Sequence, residues 1–100
     1  MECYDNGTFC IVDCGIYLDI NSIATLKNIL LQAISVKKPL IFHSNEITRI
    51  DTAGLQLLLS FTLELKKNNL SWQWEKPSST LIKTARILGM SKLLKIPNDP

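Results

Sequence analysis

The sequence has few of the residues on which most catalytic and metal sites depend. Of its 100 residues one is a histidine, His43, and four are glycines, none of them spaced as in a phosphate-binding loop. Carboxylates number nine and form no paired acidic motif. Because no nucleophile motif and no cluster of metal ligands is present, we expect a protein that is not an enzyme, with no catalytic residue, no metal site and no cofactor.

Charge of one sign and long hydrophobic runs are also lacking. The formal net charge is +2 and the lysines are scattered, so the sequence does not predict binding to nucleic acid. The longest apolar-rich run, residues 55–65, is interrupted by polar residues and is too short to span a bilayer. No basic segment followed by an apolar stretch begins the chain. We therefore expect one cytoplasmic domain over residues 1–100, without direct insertion into a membrane.

Three cysteines, Cys3, Cys10 and Cys14, fall in the first predicted strands. An odd number of cysteines without a secretory signal predicts free thiols. If Asn6 and Gly7 form a two-residue hairpin turn, Cys3 lies directly opposite Cys10 on the neighbouring strand. Two interpretations are then open, a redox-sensitive pair of thiols or two small side chains buried in the core.

The same Asn-Gly pair predicts a β-hairpin at the beginning of the chain. It joins a strand at Glu2–Asp5 to a longer strand at residues 8–14. Apolar residues with helical spacing follow, and Asn21 or Ser22 is placed to cap that helix. Pro39 ends the helical pattern.

Residues 53–67 are ambiguous when considered alone. Alternating leucines suit a strand, whereas Leu55, Leu58 and Leu65 fit one face of a helix. We predict a helix because the run is long for a strand, is rich in leucine and is followed by Asn68-Asn69. A helix that is apolar nearly all round is expected to be heavily buried.

The spacing of apolar residues predicts the remaining elements. These are a buried strand at residues 40–42, a strand over residues 70–75, a helix from residues 77–79 to Gly89, and a final turn or edge strand at residues 93–96. Trp72 and Trp74 either pack in the core or, if exposed, form a docking surface. Because strands alternate with helices, we predict an α/β fold whose sheet contains parallel pairs.

The segment Ile-Asp-Thr-Ala-Gly-Leu, residues 50–55, directly precedes the most apolar helix. Asp51 or Thr52 is placed to cap that helix, and capping alone is a sufficient reason for this pair of residues. The same position supports a functional interpretation, because a hydroxyl at a helix N-terminus is accessible to solvent. Phosphorylation of Thr52 would add almost two negative charges with little cost to the helix. The residues alone leave both interpretations open.

Residues 46–55 resemble the signature loop of STAS domains, in which a strand leads to Asp-Ser/Thr-x-Gly-Leu at the start of a helix. Residues 15–20, Gly-Ile-Tyr-Leu-Asp-Ile, resemble an early stretch of the same family, and residues 78–94 resemble its closing helix. The resemblance covers nearly the whole chain. It implies a STAS fold, an α/β domain with a mixed four- to five-stranded β-sheet and three to four helices packed on it.

The resemblance also implies a function. Bacterial anti-sigma factor antagonists of this family bind a protein partner, an anti-sigma serine kinase or ATPase, and release it when the hydroxyl residue after the aspartate is phosphorylated. By match, Thr52 is the phosphorylation site, and the partner-binding residues are Asp51, Thr52, Ala53, Gly54 and His43. Many family members have an aspartate where this chain has His43, which either serves a structural role at the strand end or senses pH.

Other functions fit the same motif. It resembles the small STAS subunit of bacterial phospholipid-transport ABC systems, in which Thr52 would contact the ATPase without being phosphorylated. Residues 51–59 and 72–77 are similar to STAS proteins associated with chemotaxis. A third class is an enzyme or a carrier of small molecules, since a helix N-terminus could hold the phosphate of a nucleotide.

Overall fold

A computed structural model describes residues 1–97 of the chain. The strands are β1 (Glu2–Asp5), β2 (Cys10–Asp13), β3 (Tyr17–Leu18), β4 (Leu40–His43), β5 (Arg49–Ile50) and β6 (Trp72–Glu75). The α-helices are α1 (Ile23–Val36), α2 (Thr52–Lys67), α3 (Ser79–Ile87) and α4 (Ser91–Leu94), and a 3₁₀ turn at Ile20–Ser22 leads into α1. No helix in this part of the chain is long and apolar enough to cross a membrane.

Four of the strands form a mixed sheet in the order β1-β2-β4-β6. β1 is antiparallel to β2, whereas β2, β4 and β6 are parallel to one another. β3 and β5 form a separate parallel ladder of two residues each. The predicted α/β class with a mixed sheet is therefore confirmed, and β1 and β6 form the two edges of the larger sheet.

The core lies between one face of this sheet and the helices. Side chains from β2, β4, β6 and all four α-helices join one cluster of buried apolar residues. At its centre the Phe42 ring stacks on Trp74 with 4.3 Å between ring centroids, and it meets Phe61 of α2 edge-on at 5.6 Å. Aromatic pairs in these geometries stabilise a core beyond the area that they bury.

The hairpin differs from the prediction in its loop. Asp5 pairs with Cys10, so residues 6–9 form a four-residue loop and Cys3 lies opposite Val12. The predicted two-residue turn was wrong because local side chains stabilise the longer loop. The Asn6 side-chain oxygen accepts from the backbone N–H groups of residues 8 and 9, at 3.0 and 2.7 Å. Such bonds from an asparagine to its own turn favour loops over tight hairpins.

The start of α1 also differs from the prediction. Ser22 precedes α1 but makes no side-chain cap to it. Instead its hydroxyl accepts from the Asp19 N–H at 3.2 Å, while the Asp19 carboxylate accepts from the Asn21 N–H at 2.9 Å. Asp19 thus begins the 3₁₀ turn, and the predicted capping role of Asn21 or Ser22 was wrong.

The other predicted elements lie close to their expected positions. The second helix is confirmed within one residue at Thr52–Lys67, although Leu63 on its outer side is 52% exposed. The later helix is capped by Ser78, whose hydroxyl accepts from the Leu81 N–H at 3.1 Å. Of the two alternatives for residues 93–96, a turn or an edge strand, the structure shows a turn, which begins within the short helix α4.

The two tryptophans pack in the core and fix α4 to the sheet. Trp72 and Trp74 are each 8% exposed, and both indole N–H groups donate to the Leu94 carbonyl oxygen, at 2.8 and 2.7 Å. The Lys95 ammonium lies 4.5 Å from the centre of the Trp72 ring. Of the two interpretations of these tryptophans, core packing is confirmed.

A double-mutant cycle tests this shared acceptor. We expect Trp72→Phe and Trp74→Phe each to lower the free energy of unfolding by at least about 1 kcal/mol, because each loses an indole hydrogen bond and buried ring area. In each single variant the Leu94 carbonyl keeps one donor. The double variant should lose about 0.5–1 kcal/mol more than the sum, because the carbonyl then has neither indole. Urea unfolding followed by circular dichroism measures the three values. Strict additivity would contradict a shared acceptor.

The buried thiol of Cys14 gives stability a specific dependence on alkaline pH. Burial, followed by the charge of Asp13, raises the pKa of this thiol to about 12. Above the ordinary pKa of a cysteine the unfolded chain loses the proton and the folded chain keeps it, so stability falls as pH rises towards 12. We expect Cys14→Ala to flatten the fall between pH 9 and 11, by up to about 1.4 kcal/mol per pH unit. Equal slopes in both proteins would contradict this.

Candidate functional site

The site begins with the cap of α2. Asp51 has an extended backbone, and its side-chain oxygen accepts from the Gly54 N–H at 2.7 Å. Its carbonyl oxygen accepts from the Leu55 N–H at 3.0 Å, which is the first bond of the helix. Of the two predicted caps, the structure therefore selects Asp51. Thr52 is then the first helical residue, and its side chain is exposed.

Gly54 allows the first turn of α2 to lie against β3. A Cβ atom at this position would lie 2.7 Å from the carbonyl carbon of Leu18 and closer still to its oxygen. The backbone nitrogen of Asp19 would lie 3.2 Å from this added Cβ atom. Since these are backbone atoms, they cannot move aside as a flexible side chain would. Only glycine fits here without separating the two segments.

The short ladder of β3 and β5 joins two segments that are distant in the sequence. Tyr17 pairs with Arg49 and Leu18 with Ile50. The Thr48 N–H also donates to the Ile16 carbonyl oxygen at 2.9 Å. The ladder therefore places residues 15–20 beside the start of α2. Two of the stretches that resemble the family, residues 15–20 and 46–55, thus lie next to each other.

Three exposed apolar side chains lie on and beside β3, namely Ile16, Tyr17 and Ile20, and together they are called the apolar patch below. These side chains are 50%, 59% and 61% exposed, respectively. Their exposure is not evident from the sequence, because a two-residue strand has too little alternation to show which side chains face outwards. Tyrosine is enriched at protein-binding surfaces, so this segment is a candidate contact area.

The charges around the start of α2 are mixed. A cleft of about 540 Å³ is lined by Asp19, Arg49 and Asp51 together with three neighbouring residues, Ile20, Asn21 and Ile50. Both carboxylates are engaged with backbone N–H groups at helix or turn starts. Thr52 follows Asp51 directly, so any negative charge added to its hydroxyl would lie beside this cleft.

His43 belongs to a different element from the other predicted site residues. It ends β4, and its ring Nε2 is 3.2 Å from a carboxylate oxygen of Glu75 on β6. Asp13 occupies the register position opposite it on β2, and the His43 carbonyl oxygen accepts from the Cys14 N–H at 2.9 Å. Among the hydrogen bonds and ion pairs of residues 1–97, none joins His43 to Asp51 or Thr52.

The structure thus brings Asp51, Thr52, Ala53 and Gly54 together in one helical turn and leaves His43 at a different strand end. Asp13 and Glu75, its neighbours across the sheet, were missed because only the strand register makes them adjacent. Within residues 1–97, no group of three or more histidine, cysteine, aspartate or glutamate side chains is arranged to hold a metal ion. The chemistry that this surface offers is a free hydroxyl, mixed charges and apolar contact area.

Comparison with known proteins gives a family and a fold. The family model described as STAS domain matches residues 1–99. Among solved structures, a crystal structure of a protein named Mglu aligns with a TM-score of 0.68 and 13% identity. The alignment covers 78% of this chain but only 20% of that one, so the likeness shows the fold alone. No curated protein sequence matches the chain.

The contact of Gly54 with β3 can be tested by the sign of a substitution. Glycine to alanine at an open helical position stabilises by up to about 1 kcal/mol, whereas a clash with backbone costs about 1–3 kcal/mol. We expect Gly54→Ala to lower the free energy of unfolding. The control is Ser60→Ala on the exposed side of α2, which should leave stability nearly unchanged or raise it slightly. A stabilised Gly54→Ala protein would contradict the close approach.

Proposed function

We propose that this chain, which belongs to the STAS domain family, binds a protein partner through the start of α2 and releases it when Thr52 is phosphorylated. STAS domains are generally non-enzymatic binding modules, and membership of the family implies protein–protein interaction in general. The phosphorylation switch, the anti-sigma type of partner and a cytoplasmic site of action are our proposal. The observation that carries it is the exposed side chain of Thr52 on the first turn of a helix that Asp51 already caps.

Capping of α2 and the proposed phosphorylation involve different residues of the Asp51-Thr52 pair. Because the Asp51 carboxylate holds the Gly54 N–H, the Thr52 hydroxyl is not needed to begin the helix. A phosphate on Thr52 would sit at the positive end of the helix dipole, near N–H groups that have no intrahelical acceptor. Phosphorylation is therefore compatible with a folded α2, and its main effect falls on a bound partner.

The charges of the site indicate that phosphorylation of Thr52 weakens the binding of a partner. A phosphoryl group adds about 1.5–2 negative charges at neutral pH. It would be added beside Asp51 and close to Asp19, while Arg49 supplies the single positive charge that lines the cleft. A partner surface that fits the neutral hydroxyl would then face a strongly negative rim. A phosphate placed in an apolar interface or beside acidic groups disrupts binding through desolvation and like-charge repulsion, at a cost of several kcal/mol, which is enough for release.

The apolar patch gives the unmodified form a means of attachment. Ile16, Tyr17 and Ile20 are at least half exposed and lie on the segments that β3 and β5 bring beside Thr52. A few side chains near the centre of an interface supply most of its binding energy, and tyrosine is enriched among them. We propose that the partner covers this patch and that Thr52 lies at its border, where a new charge has the greatest effect.

Three baits of similar fold test the switch. Wild-type protein, Thr52→Glu and Thr52→Gln are used to capture proteins from an extract of the source cells, and the captured proteins are quantified by mass spectrometry. Glutamate and glutamine have nearly the same size, so they separate charge from bulk. We expect a kinase or ATPase partner to be retained on the wild-type and glutamine baits and reduced at least tenfold on the glutamate bait. Such a loss corresponds to about 1.4 kcal/mol or more.

Other results would redirect the proposal. A partner held equally by all three baits would contradict a switch based on charge. If that partner were an ABC ATPase, the protein would instead be a constitutive docking subunit. A chemotaxis protein as the partner would instead indicate a chemotaxis-associated STAS regulator. Phosphopeptide mapping of the native protein provides a second test. Phosphate on the exposed Ser60, with none on Thr52, would contradict the assigned phosphorylation site.

A further inference from the structure

The β1–β2 hairpin holds two thiols close together. The Sγ atoms of Cys3 and Cys10 are 3.2 Å apart, although the residues are not opposite each other in the ladder. Cys3 pairs with Val12 and Cys10 with Asp5, so the two cysteines are diagonal neighbours. Cys10 and Val12 are two residues apart on β2 and share one face, and Cys3 lies opposite Val12 on that same face. Both thiols therefore lie on the side of the sheet that faces the helices. The third cysteine, Cys14, is 1% exposed and also a free thiol.

The two thiols differ in access to solvent. Cys10 is completely buried, whereas Cys3 on the edge strand is half-buried. Burial and the contact with Cys3 raise the pKa of the Cys10 thiol to about 12. Thiolates react with oxidants and protonated thiols react slowly. Cys3 is therefore the residue that an oxidant reaches first, and Cys10 is the thiol placed to react second.

We propose that Cys3 and Cys10 are an oxidation site, at which a hydroperoxide converts the pair to a reversible intramolecular disulfide. In the first step the Cys3 thiolate attacks one peroxide oxygen, the O–O bond breaks, and Cys3 becomes a sulfenic acid as hydroxide leaves and takes up a proton. In the second step Cys10 Sγ attacks Cys3 Sγ and the S–O bond breaks. The departing hydroxide takes the Cys10 proton and leaves as water. Two thiols are oxidised while one hydrogen peroxide is reduced to two waters.

Formation of this bond requires a small shift of the hairpin. A disulfide needs the sulfurs about 2 Å apart, so the gap of 3.2 Å has to close by little more than an ångström. β1 is an edge strand and is paired on one side only, which leaves it freer to shift than a central strand. The bond would tie this edge to β2. It lies outside the start of α2, so the inference does not depend on the proposed function.

The positions of aspartate in the sequence make the test direct. Cleavage on the N-terminal side of Asp5, Asp13 and Asp19 places Cys3, Cys10 and Cys14 on three separate peptides. The folded full-length chain is treated with hydrogen peroxide and unfolded rapidly in acid to stop the reaction. Free thiols are then alkylated in denaturant at neutral pH, and the peptides are identified by mass spectrometry. We expect Cys3 and Cys10 peptides joined with a loss of about 2 Da, for the two hydrogen atoms removed, and Cys14 alkylated. Dithiothreitol should restore both thiols.

Two substitutions separate the roles of the thiols. In Cys10→Ala the sulfenic acid on Cys3 should persist and be trapped by dimedone, whereas in Cys3→Ala the buried Cys10 should stay reduced. Cys14→Ala is the matched control and should form the bond as the wild type does. Circular dichroism establishes that each variant is folded. Peroxide-treated wild type that accumulates Cys3 sulfinic acid or a Cys3–Cys3 dimer, with Cys10 still open to alkylation, would overturn the proposal.

Discussion

The close approach of Gly54 to the Leu18 carbonyl is the contact on which the candidate site depends. Because no Cβ lies between them, the first turn of α2 rests directly on β3. The ladder of β3 with β5 then fixes the chain that leads into the helix. With both segments held, the Asp51 side chain turns back to cap α2 and Thr52 faces solvent. The geometry of the site therefore follows from backbone packing more than from bonds between its side chains.

α2 connects this surface to the core. Beyond its first turn, Leu55, Leu58 and Leu65 are completely buried, and Phe61 meets Phe42 of the central strand β4. A site on a packed helix is held more firmly than one on a loop. A change of charge at Thr52 would therefore act on a bound partner through electrostatic forces, and α2 itself would stay in place.

Much of the fold could be predicted from the sequence because its signals are local. Helix α2 shows its length, its leucines and its end within one segment, and β6 shows strict alternation at Trp72–Glu75. The four-residue hairpin loop was missed because asparagine side-chain bonds compete with the tight turn that an Asn-Gly pair favours. The pairing of His43 with Glu75 was missed because the residues are 32 positions apart and only the sheet register joins them. For the site, the motif predicted the helix start, but the apolar patch required the structure.

The edges of the four-stranded sheet have a consequence for how this domain assembles. β1 carries Glu2 and Asp5, and Asp5 forms an ion pair with Lys38 at 2.9 Å. β6 at the opposite edge has four residues and ends with Glu75. Short edge strands with charged side chains discourage another strand from adding to a sheet. Both edges therefore disfavour complexes in which two chains share a continuous sheet, which is the pairing that also begins fibrous aggregation.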